Sequence, residues 1–448
     1  MHRGLTLIGL ILVLSGAVTV ELPPLIEAAK ARDWAGVEGL LEKGADPDEV
    51  APDGATALHW ASYWDEAEAA SVLLEAGADV NAANDLGATA LFNASLNGSV
   101  QMVRTLLDAG ANPNVALLAG ETPVMTGART GSPEVLKLLL AAGGDPNVRG
   151  TRGQTALMWA TSQQHPEAVR VLLEGGADVG ARSDSWSQRM AIPPHSSPAN
   201  QQDVPHGNNT ALLFAARVGD LASARVLVEA GANVDDADAW GVSATTLAAH
   251  SGFSGLVEFF LEEGADPSAA GAGFAPLHMA IMRRDVDLVR TLLAHGADPN
   301  VRVQNWSPTR RASRDWHFHP SLVGATPFWM AARFTQPEVM RILVDHGADP
   351  LFVHESNYVA SSGTFGAGGG FDEATTALMA AVGMGGPRRM RAYMNPDGNL
   401  LESLTLETVK LTVDLGVDVG AVDLQGRTAI QMVRYASVED FLAEQGGR

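Results

Sequence analysis

Two alternating histidines come nearest to a metal-ligand pattern in this chain. On an extended segment the rings of His317 and His319 would face the same side. With His354 or Asp315 they could bind zinc or copper, for which imidazole and carboxylate are suitable ligands. A lone His-x-His pair is a weak signal. The sequence therefore leaves open that the chain is an enzyme or a metal-binding protein with a site around residues 306–319. We keep this as the alternative to the binding function inferred below.

Other catalytic signatures are absent from the sequence. The chain has no Gly-x-x-x-x-Gly-Lys phosphate loop, no Gly-x-Ser-x-Gly nucleophile turn and no His-Glu-x-x-His zinc helix. It has no cysteine, which excludes thiolate nucleophiles, disulfides and cysteine-ligated zinc. Because no nucleophile set or acid–base pair can be assembled, we expect a protein that is not an enzyme and carries no cofactor.

The strongest pattern is a Gly-Ala-Asp tripeptide, or a near copy of it, that recurs along the chain. Copies at steps of 33 residues begin at Gly44, Gly77, Gly110, Gly143 and Gly176. Further copies begin at Gly231, Gly264, Gly296, Gly347 and Gly416. A fixed period of this length is typical of repeat proteins, in which small units stack in a row.

One regular copy shows what each unit must be. The hydroxyl of Thr89 can cap a short helix, and Val103, Leu106 and Leu107 form the apolar stripe of a second helix. Gly110 follows that helix, where a left-handed residue is favoured. Such short helices are marginal in water, so they must bury their stripes against neighbouring units. The pattern predicts an all-α solenoid of about eleven helix-turn-helix units.

These residues resemble the ankyrin repeat, whose signature is Thr-Pro-Leu-His-x-Ala. The signature reads Thr-Ala-Leu-His-Trp-Ala at residues 56–61 and returns in the copies that begin at Thr155, Ala275, Thr326 and Thr376. The resemblance implies one array over residues 18–448. Its predicted parts are an N-terminal cap (22–52), repeats (53–423) and a C-terminal cap (424–446).

The resemblance also implies a concave groove, lined by first helices and finger loops, that binds other proteins. The residues expected to line it are Tyr63, Trp64, Arg129, Arg217, Trp240, His250, Arg283, Arg333 and Phe334. Trp, Tyr and Arg often dominate interfaces, and a row of arginines suits a partner that is acidic at the contact. For any single arginine the alternative is a solvated helix end. We expect Trp60 and Trp159, inside the helix motif, to be core.

The longer steps between copies predict insertions near residues 184–206, 304–322, 354–372 and 386–405. Their tryptophans include Trp186, Trp306 and Trp316, which we count among the predicted partner contacts. Long loops in a compact array are often functional. The other interpretation is that these loops fold down over exposed core, with tryptophan as filler.

The N-terminus has the order of a secretory signal. A basic start precedes an apolar run at residues 5–14 and the small residues Ser15, Gly16 and Ala17. We therefore expect a signal peptide over residues 1–17 and a periplasmic or secreted protein.

The net charge of the chain disfavours some kinds of partner. Acidic residues outnumber basic ones by 52 to 30, giving a net charge of −22. Such a chain repels nucleic acid and anionic membranes. We expect a monomer whose partner is another exported protein, with no membrane span after signal cleavage.

Overall fold

The computed structural model describes residues 22–191, 201–307, 318–359, 370–386 and 401–447. These residues contain 21 α-helices, four β-strands and a few 3₁₀ turns, so the fold is mostly helical. None of the described helices is long and apolar enough to cross a membrane. The predicted signal peptide, residues 1–17, lies outside the described residues.

The chain divides into two compact units. Unit 1 comprises the described residues up to Thr126 together with Leu138–Gly144, and unit 2 comprises Gly127–Lys137 and the residues from Asp145 onward. The boundary between them passes through two helices, α7 (Pro123–Thr130) and α8 (Pro133–Ala141).

Unit 1 is built from antiparallel helix pairs. The helices are α1 (Pro24–Lys30), α2 (Trp34–Leu41), α3 (Ala57–Tyr63), α4 (Ala67–Glu75), α5 (Ala90–Asn97) and α6 (Val100–Asp108), followed by its parts of α7 and α8. First helices pack on first helices, α1 on α3 and α3 on α5, and the second helices α4 and α6 pack together in the same way.

Unit 2 continues the pairing of helices and adds two hairpins. Its further helices are α9 (Ala156–Ser162), α10 (Pro166–Glu174), α11 (Ala211–Val218), α12 (Leu221–Glu229), α13 (Ala244–Ser251), α14 (Ser254–Glu262), α15 (Pro276–Arg283), α16 (Val286–Ala294), α17 (Pro327–Arg333), α18 (Pro337–Asp345), α19 (Ala377–Val382), α20 (Leu401–Asp414) and α21 (Ala436–Glu444). Strand β1 (Ser185–Ala191) pairs antiparallel with β2 (Gln201–Gly207), and β3 (His354–Val359) pairs antiparallel with β4 (Gly370–Thr375).

Local signals in the sequence account for where the helices begin and end. The hydroxyl of Thr89 accepts a hydrogen bond from the Phe92 N–H at the start of α5, at 3.3 Å. In α6 the buried stripe is Met102, Val103 and Leu106. Leu107, predicted in that stripe, is only half-buried because it lies on the flank of the helix. The prediction of two short amphipathic helices is correct. The buried stripe of α6 includes Met102 in place of the predicted Leu107.

The recurring tripeptide forms the turn that follows each second helix. Gly77 has φ +96°, a left-handed conformation that glycine adopts without a steric penalty. The Asp79 carboxylate accepts the Asn81 N–H at 2.9 Å, and the Asp79 N–H donates to the Asp48 carboxylate of the preceding turn at 2.8 Å. Adjacent turns are thus joined by a polar side chain that lies two residues after the tripeptide of the preceding turn.

The same bond between turns repeats in unit 2. It joins Asp178 N–H to Asn147, Asp266 N–H to Asp235, Asp298 N–H to Ser268 and Asp349 N–H to Asn300, at 2.8–2.9 Å. Each bond satisfies a backbone donor that helix hydrogen bonding leaves free. We call this series the turn ladder.

A buried histidine in α15 helps to hold the start of that helix. Nδ1 of His278 accepts the Ala275 N–H at 3.0 Å, and Nε2 therefore donates to the carbonyl of Val301, also at 3.0 Å. Burial lowers the pKa of His278 to about 4. His59 in α3 bonds in the same way to Thr56 N–H and the Ala88 carbonyl, and burial lowers its pKa as well.

Replacing Leu106 by Ala should lower the free energy of unfolding by about 2–5 kcal/mol, because the side chain is fully buried and the change leaves a cavity. Leu118, in the same unit, is 80% exposed, and Leu118→Ala is the matched control. Chemical denaturation measures both. An unchanged midpoint for Leu106→Ala would contradict the assigned packing.

Acidification should destabilise the fold through His278. The unfolded chain takes up this proton near pH 6.5 and the folded chain near pH 4, so stability is fully present above pH 6.5 and is lost as the pH falls towards 4. A shift of that size corresponds to about 3 kcal/mol. Urea titrations at several pH values should show this slope, and His278→Gln should reduce it, leaving the part due to His59 and His354, whose pKa values burial also lowers. An equal slope in the variant would place the titrating group elsewhere.

Candidate functional site

Three aromatic side chains cluster at the end of α3 in unit 1. Tyr63 is 54% exposed, and its ring lies edge-on to Trp60 at 5.8 Å and to Trp64 at 4.9 Å between centroids. We call Trp60, Tyr63 and Trp64 the aromatic ledge. Trp60 is half-buried, so the expectation that it is core is wrong. Trp60 lies on the outer side of α3, whereas the neighbouring Ala61 is fully buried.

Cationic side chains lie over the ledge. The Lys30 ammonium is 5.6 Å from the Trp60 ring, and the Arg32 guanidinium is 5.4 Å from the Trp64 ring. Arg32 also pairs with Glu66. Cation–π contacts of this kind attract the cations to the ring faces and so help to hold the rings in place.

Exposed leucines extend the apolar surface of unit 1. Leu96 is 44% exposed at the end of α5, and the Asn97 side chain there donates to the carbonyl of Tyr63 at 3.1 Å. At the tips of the turns, Leu86 is 66% and Leu118 is 80% exposed, and the Leu118 N–H bonds to the Leu86 carbonyl at 3.0 Å. The structure therefore places two apolar pairs at the surface of this unit.

Sequence spacing could have identified two of these residues. Four residues follow each other at steps of 33: Lys30, Tyr63, Leu96 and Arg129. They therefore occupy the same position in successive helix-pair repeats. Tyr63 and Arg129 were predicted from the resemblance, whereas Lys30 and Leu96 were missed because a lysine or leucine alone is not a signal for binding.

In unit 2, two of the predicted arginines lie beside aromatic rings. The Arg129 guanidinium is 5.6 Å from the ring of Trp159, which is half-buried rather than core as expected. Arg217 is exposed, lies 5.9 Å from the Phe214 ring and donates to the Asn209 side chain at 3.3 Å.

The next three predicted residues are half-buried in the same unit. Arg283 donates to the carbonyl of His250 at 3.0 Å. Trp240 lies in a turn closed by Asp238 and packs edge-on to Phe274 at 5.7 Å. Burial raises the pKa of Asp238, although N–H donors from its own turn and the charge of Arg217 act in the opposite direction.

The β1–β2 hairpin presents an exposed tryptophan. Trp186 is 39% exposed, stacks on His206 at 5.6 Å and has the Arg152 guanidinium 4.6 Å from its ring. Ion pairs hold the base of the hairpin, Arg149 with Asp184 at 2.7 Å and Arg182 with Asp236 at 2.6 Å. Trp306 is half-buried, and Trp316 lies outside the described residues.

Two predicted contact residues are corrected by the structure. Arg333 and Phe334 are 0% and 1% exposed, so neither faces a partner. The ends of the β3–β4 hairpin and the segment after α19 cover this end of α17. Trp329 donates to the Thr375 carbonyl at 3.2 Å, and Arg333 donates to the Gly385 carbonyl at 3.4 Å.

Arg333 contributes to a buried electrostatic group. Burial raises the pKa of Glu373 on β4, and the positive charges of Arg427 and Arg333 oppose that shift. Arg427 in turn pairs with buried Asp423 at 2.6 Å. The arginine that the sequence assigned to binding therefore compensates a carboxylate inside the fold.

The histidines of the alternative metal site are bonded to one serine. Nδ1 of His319 accepts the Ser321 hydroxyl at 2.9 Å, and Nε2 of His354 lies 2.9 Å from the Ser321 carbonyl. Burial lowers the pKa of His354. In the part of the chain that the structure describes, no three His, Asp or Glu side chains are placed to hold a metal ion. Asp315 and His317 lie outside that part.

Comparison with known proteins identifies the repeated unit. A family profile described as ankyrin repeats (3 copies) matches residues 25–116, 113–183, 212–303 and 256–354. The chain belongs to the ankyrin-repeat family. Ankyrin repeats are generally scaffolds for protein–protein interaction, so the exposed residues above are candidate contacts for a protein partner.

Similar curated proteins share only a part of their length with this ankyrin-repeat chain. Palmitoyltransferase Hip14 of Drosophila melanogaster is 34% identical over 93 residues, which are 20% of this chain and 15% of that protein. Palmitoyltransferase ZDHHC13 of Homo sapiens is 33% identical over 100 residues, 22% and 16% of the two chains. The 2-5A-dependent ribonuclease of Mus musculus is 39% identical over 77 residues, 17% and 8%. The chain thus spans less than a fifth of the length of these relatives.

Among solved structures, the ankyrin-repeat domain of human ASB11 is 29% identical to this chain. The match covers 53% of this chain and 97% of that domain, with a TM-score of 0.44.

Replacing Arg333 by Ala should destabilise unit 2 by about 3 kcal/mol, because it removes a buried charge that faces Glu373. Arg217→Ala is the control: it is exposed, and its effect should stay within about 0.5 kcal/mol. Thermal and urea unfolding compare the two variants. Equal stability would show that Arg333 is not a structural residue.

Proposed function

We propose that this chain is a non-catalytic scaffold that binds another protein through the ends of its first helices and through its hairpins. The observation that carries the proposal is the aromatic ledge of unit 1, where Tyr63 is 54% exposed beside Leu96 at 44%. Exposed clusters of large apolar side chains commonly mark interaction sites. Tyrosine and tryptophan supply large contact area with few rotatable bonds.

The charges around these residues favour a partner that is acidic at the contact. Lys30 and Arg32 flank the aromatic ledge in unit 1, and Arg217 is exposed in unit 2. These cations belong to a chain whose net charge is −22. Arg32 also pairs with Glu66, so Lys30 and Arg217 are the groups that would attract an acidic segment of the partner.

The proposal also covers the origin of the two hairpins and the number of repeats in the array. We infer that residues 185–207 and 354–375 are insertions in an array of about eleven units, since each hairpin interrupts a series of paired helices. The exposed Trp186 would give the first hairpin a contact of its own with the partner.

We further propose that the chain is exported and acts as a monomer in the periplasm or outside the cell. The apolar run at residues 5–14, followed by small residues, supports export, and the lack of cysteine is compatible with an oxidising compartment. The partner would then be another exported protein.

Affinity capture from the envelope and secreted fractions of the source organism tests the proposal. The chain should retain one protein, and Tyr63→Ala with Leu96→Ala should weaken its binding at least tenfold. Both side chains are largely exposed, so thermal stability should not change. The matched control is Leu351→Ala with Leu424→Ala, which alters two exposed leucines of unit 2.

Three results would oppose this function: no retained protein, equal weakening by both double variants, or turnover of a small substrate by the purified chain.

A further inference from the structure

Strand β1 of the first hairpin has an open edge. Among the described residues it pairs with β2 alone, and its residues from Ser185 to Arg189 are all exposed. In an antiparallel pair, alternate residues direct their N–H and C=O groups away from the partner strand. Such a row of groups is a template for a further strand, and proteins commonly block it with lysine, proline or a bulge. Strand β1 contains neither lysine nor proline, and its register with β2 is unbroken.

The outer edge of β2 is less suited to an added strand. Pro205 has no N–H to donate, and Val204 is only 1% exposed. At the base of the hairpin, the Gly207 carbonyl already accepts the Ala239 N–H of the following turn at 3.0 Å. A further strand would therefore pair with β1.

The preceding turn marks where such a strand would begin. The Asp184 N–H, directly before β1, donates to the Arg152 carbonyl at 2.8 Å. The turn at Arg152 thus lies beside Asp184 in the position of a third strand. An added segment would continue from there along Ser185 and the residues that follow it.

The side chain of Arg152 is an exposed cation at this position. Its guanidinium lies 4.6 Å from the ring of Trp186, and it has no carboxylate partner among the described residues. Three carboxylates at the hairpin pair with other arginines: Asp184 with Arg149 at 2.7 Å, Asp203 with Arg189 at 2.8 Å and Asp236 with Arg182 at 2.6 Å. The charge of Arg152 is therefore available to a carboxylate of another molecule.

From these observations we propose that an extended acidic segment of the partner adds to β1 as a third strand and places one carboxylate on Arg152. Backbone hydrogen bonds to β1 would hold the segment, as in other cases where a peptide extends a sheet. Arginine can bond a carboxylate while it lies over an aromatic ring, so Trp186 would keep the guanidinium in position. This inference rests on the proposed protein-binding function and specifies the form of the partner's segment, which is extended and acidic.

Selection from a library of random peptides displayed on phage tests the site with the full chain as bait. The retained peptides should lack proline and share an Asp or Glu at one end of the common segment. The best peptide is then synthesised, and its affinity is measured by fluorescence anisotropy. N-methylation at alternate residues should abolish binding in one register and be tolerated in the other, because only every second residue faces β1.

Variants of the chain connect the peptide to Arg152. Arg152→Gln should weaken the peptide at least tenfold, because it removes a charge-assisted bond. Arg225→Gln is the matched control: Arg225 is also exposed, lies 4.6 Å from the ring of Phe259 and should not affect the peptide. Arg152→Glu should restore binding of a peptide whose acidic residue is replaced by lysine, and this exchange decides the question if the loss in Arg152→Gln comes from a distorted hairpin.

Four results would overturn the inference: no retained peptides, no acidic preference, equal sensitivity to N-methylation in both registers, or equal weakening by Arg152→Gln and Arg225→Gln. A dimer that forms through β1 and excludes the peptides would also overturn it, because the occupant would then be a second copy of the chain. Sedimentation measures that state.

The outcome is separable from that of the proposed function. Tyr63→Ala with Leu96→Ala should leave the affinity for the peptide unchanged, since neither residue belongs to the hairpin. A chain that captures a protein but fails the peptide tests would overturn only the added strand. A chain that binds the peptides through Arg152 but captures no protein would oppose only the proposed function.

Discussion

Short helices depend on their neighbours in this chain. The first and second helices of the regular units contain seven to nine residues, as in α3, α4, α5 and α6. Isolated helices of this length are marginal in water, so each is stabilised by packing its apolar stripe against the next pair. Alanines such as Ala61 and Ala94, both fully buried, keep the helices close enough for that packing.

The same constraint separates the positions of each helix-pair repeat that must be buried from those that can vary. Once the apolar stripe is buried, the ends of the first helices and the tips of the turns are the positions that can vary without loss of the fold. In unit 1 these positions carry Tyr63, Leu96 and Leu118, all exposed. In unit 2 one such position carries Arg333, which is buried because Gly385 and β4 cover it. The last residue of a first helix can therefore be exposed in one repeat and buried in another.

The sequence predicted the repeated parts of the structure because those parts are determined by local interactions. The hydroxyl cap at Thr89, the burial of Leu106 and the left-handed glycine at Gly110 (φ +90°) each depend on residues within one unit. The burial of Arg333 depends on Thr375 and Gly385, about 40 to 50 residues away, and no periodic pattern specifies that contact. Trp60 was misplaced because its size indicates burial, whereas its position on α3 and the contact with Lys30 keep it at the surface.

The turn ladder has a consequence for how such a chain can change its length. Each link joins a backbone N–H of one turn to a polar side chain of the turn before it, as between Asp79 and Asp48 or Asp349 and Asn300. The link from Asp349 to Asn300 spans 49 residues, yet it has the same form as the one between Asp79 and Asp48, which spans 31. Gene duplication or deletion of a whole unit would therefore leave equivalent donors and acceptors at the new junction. Evolution could lengthen or shorten this protein without inventing a new interface.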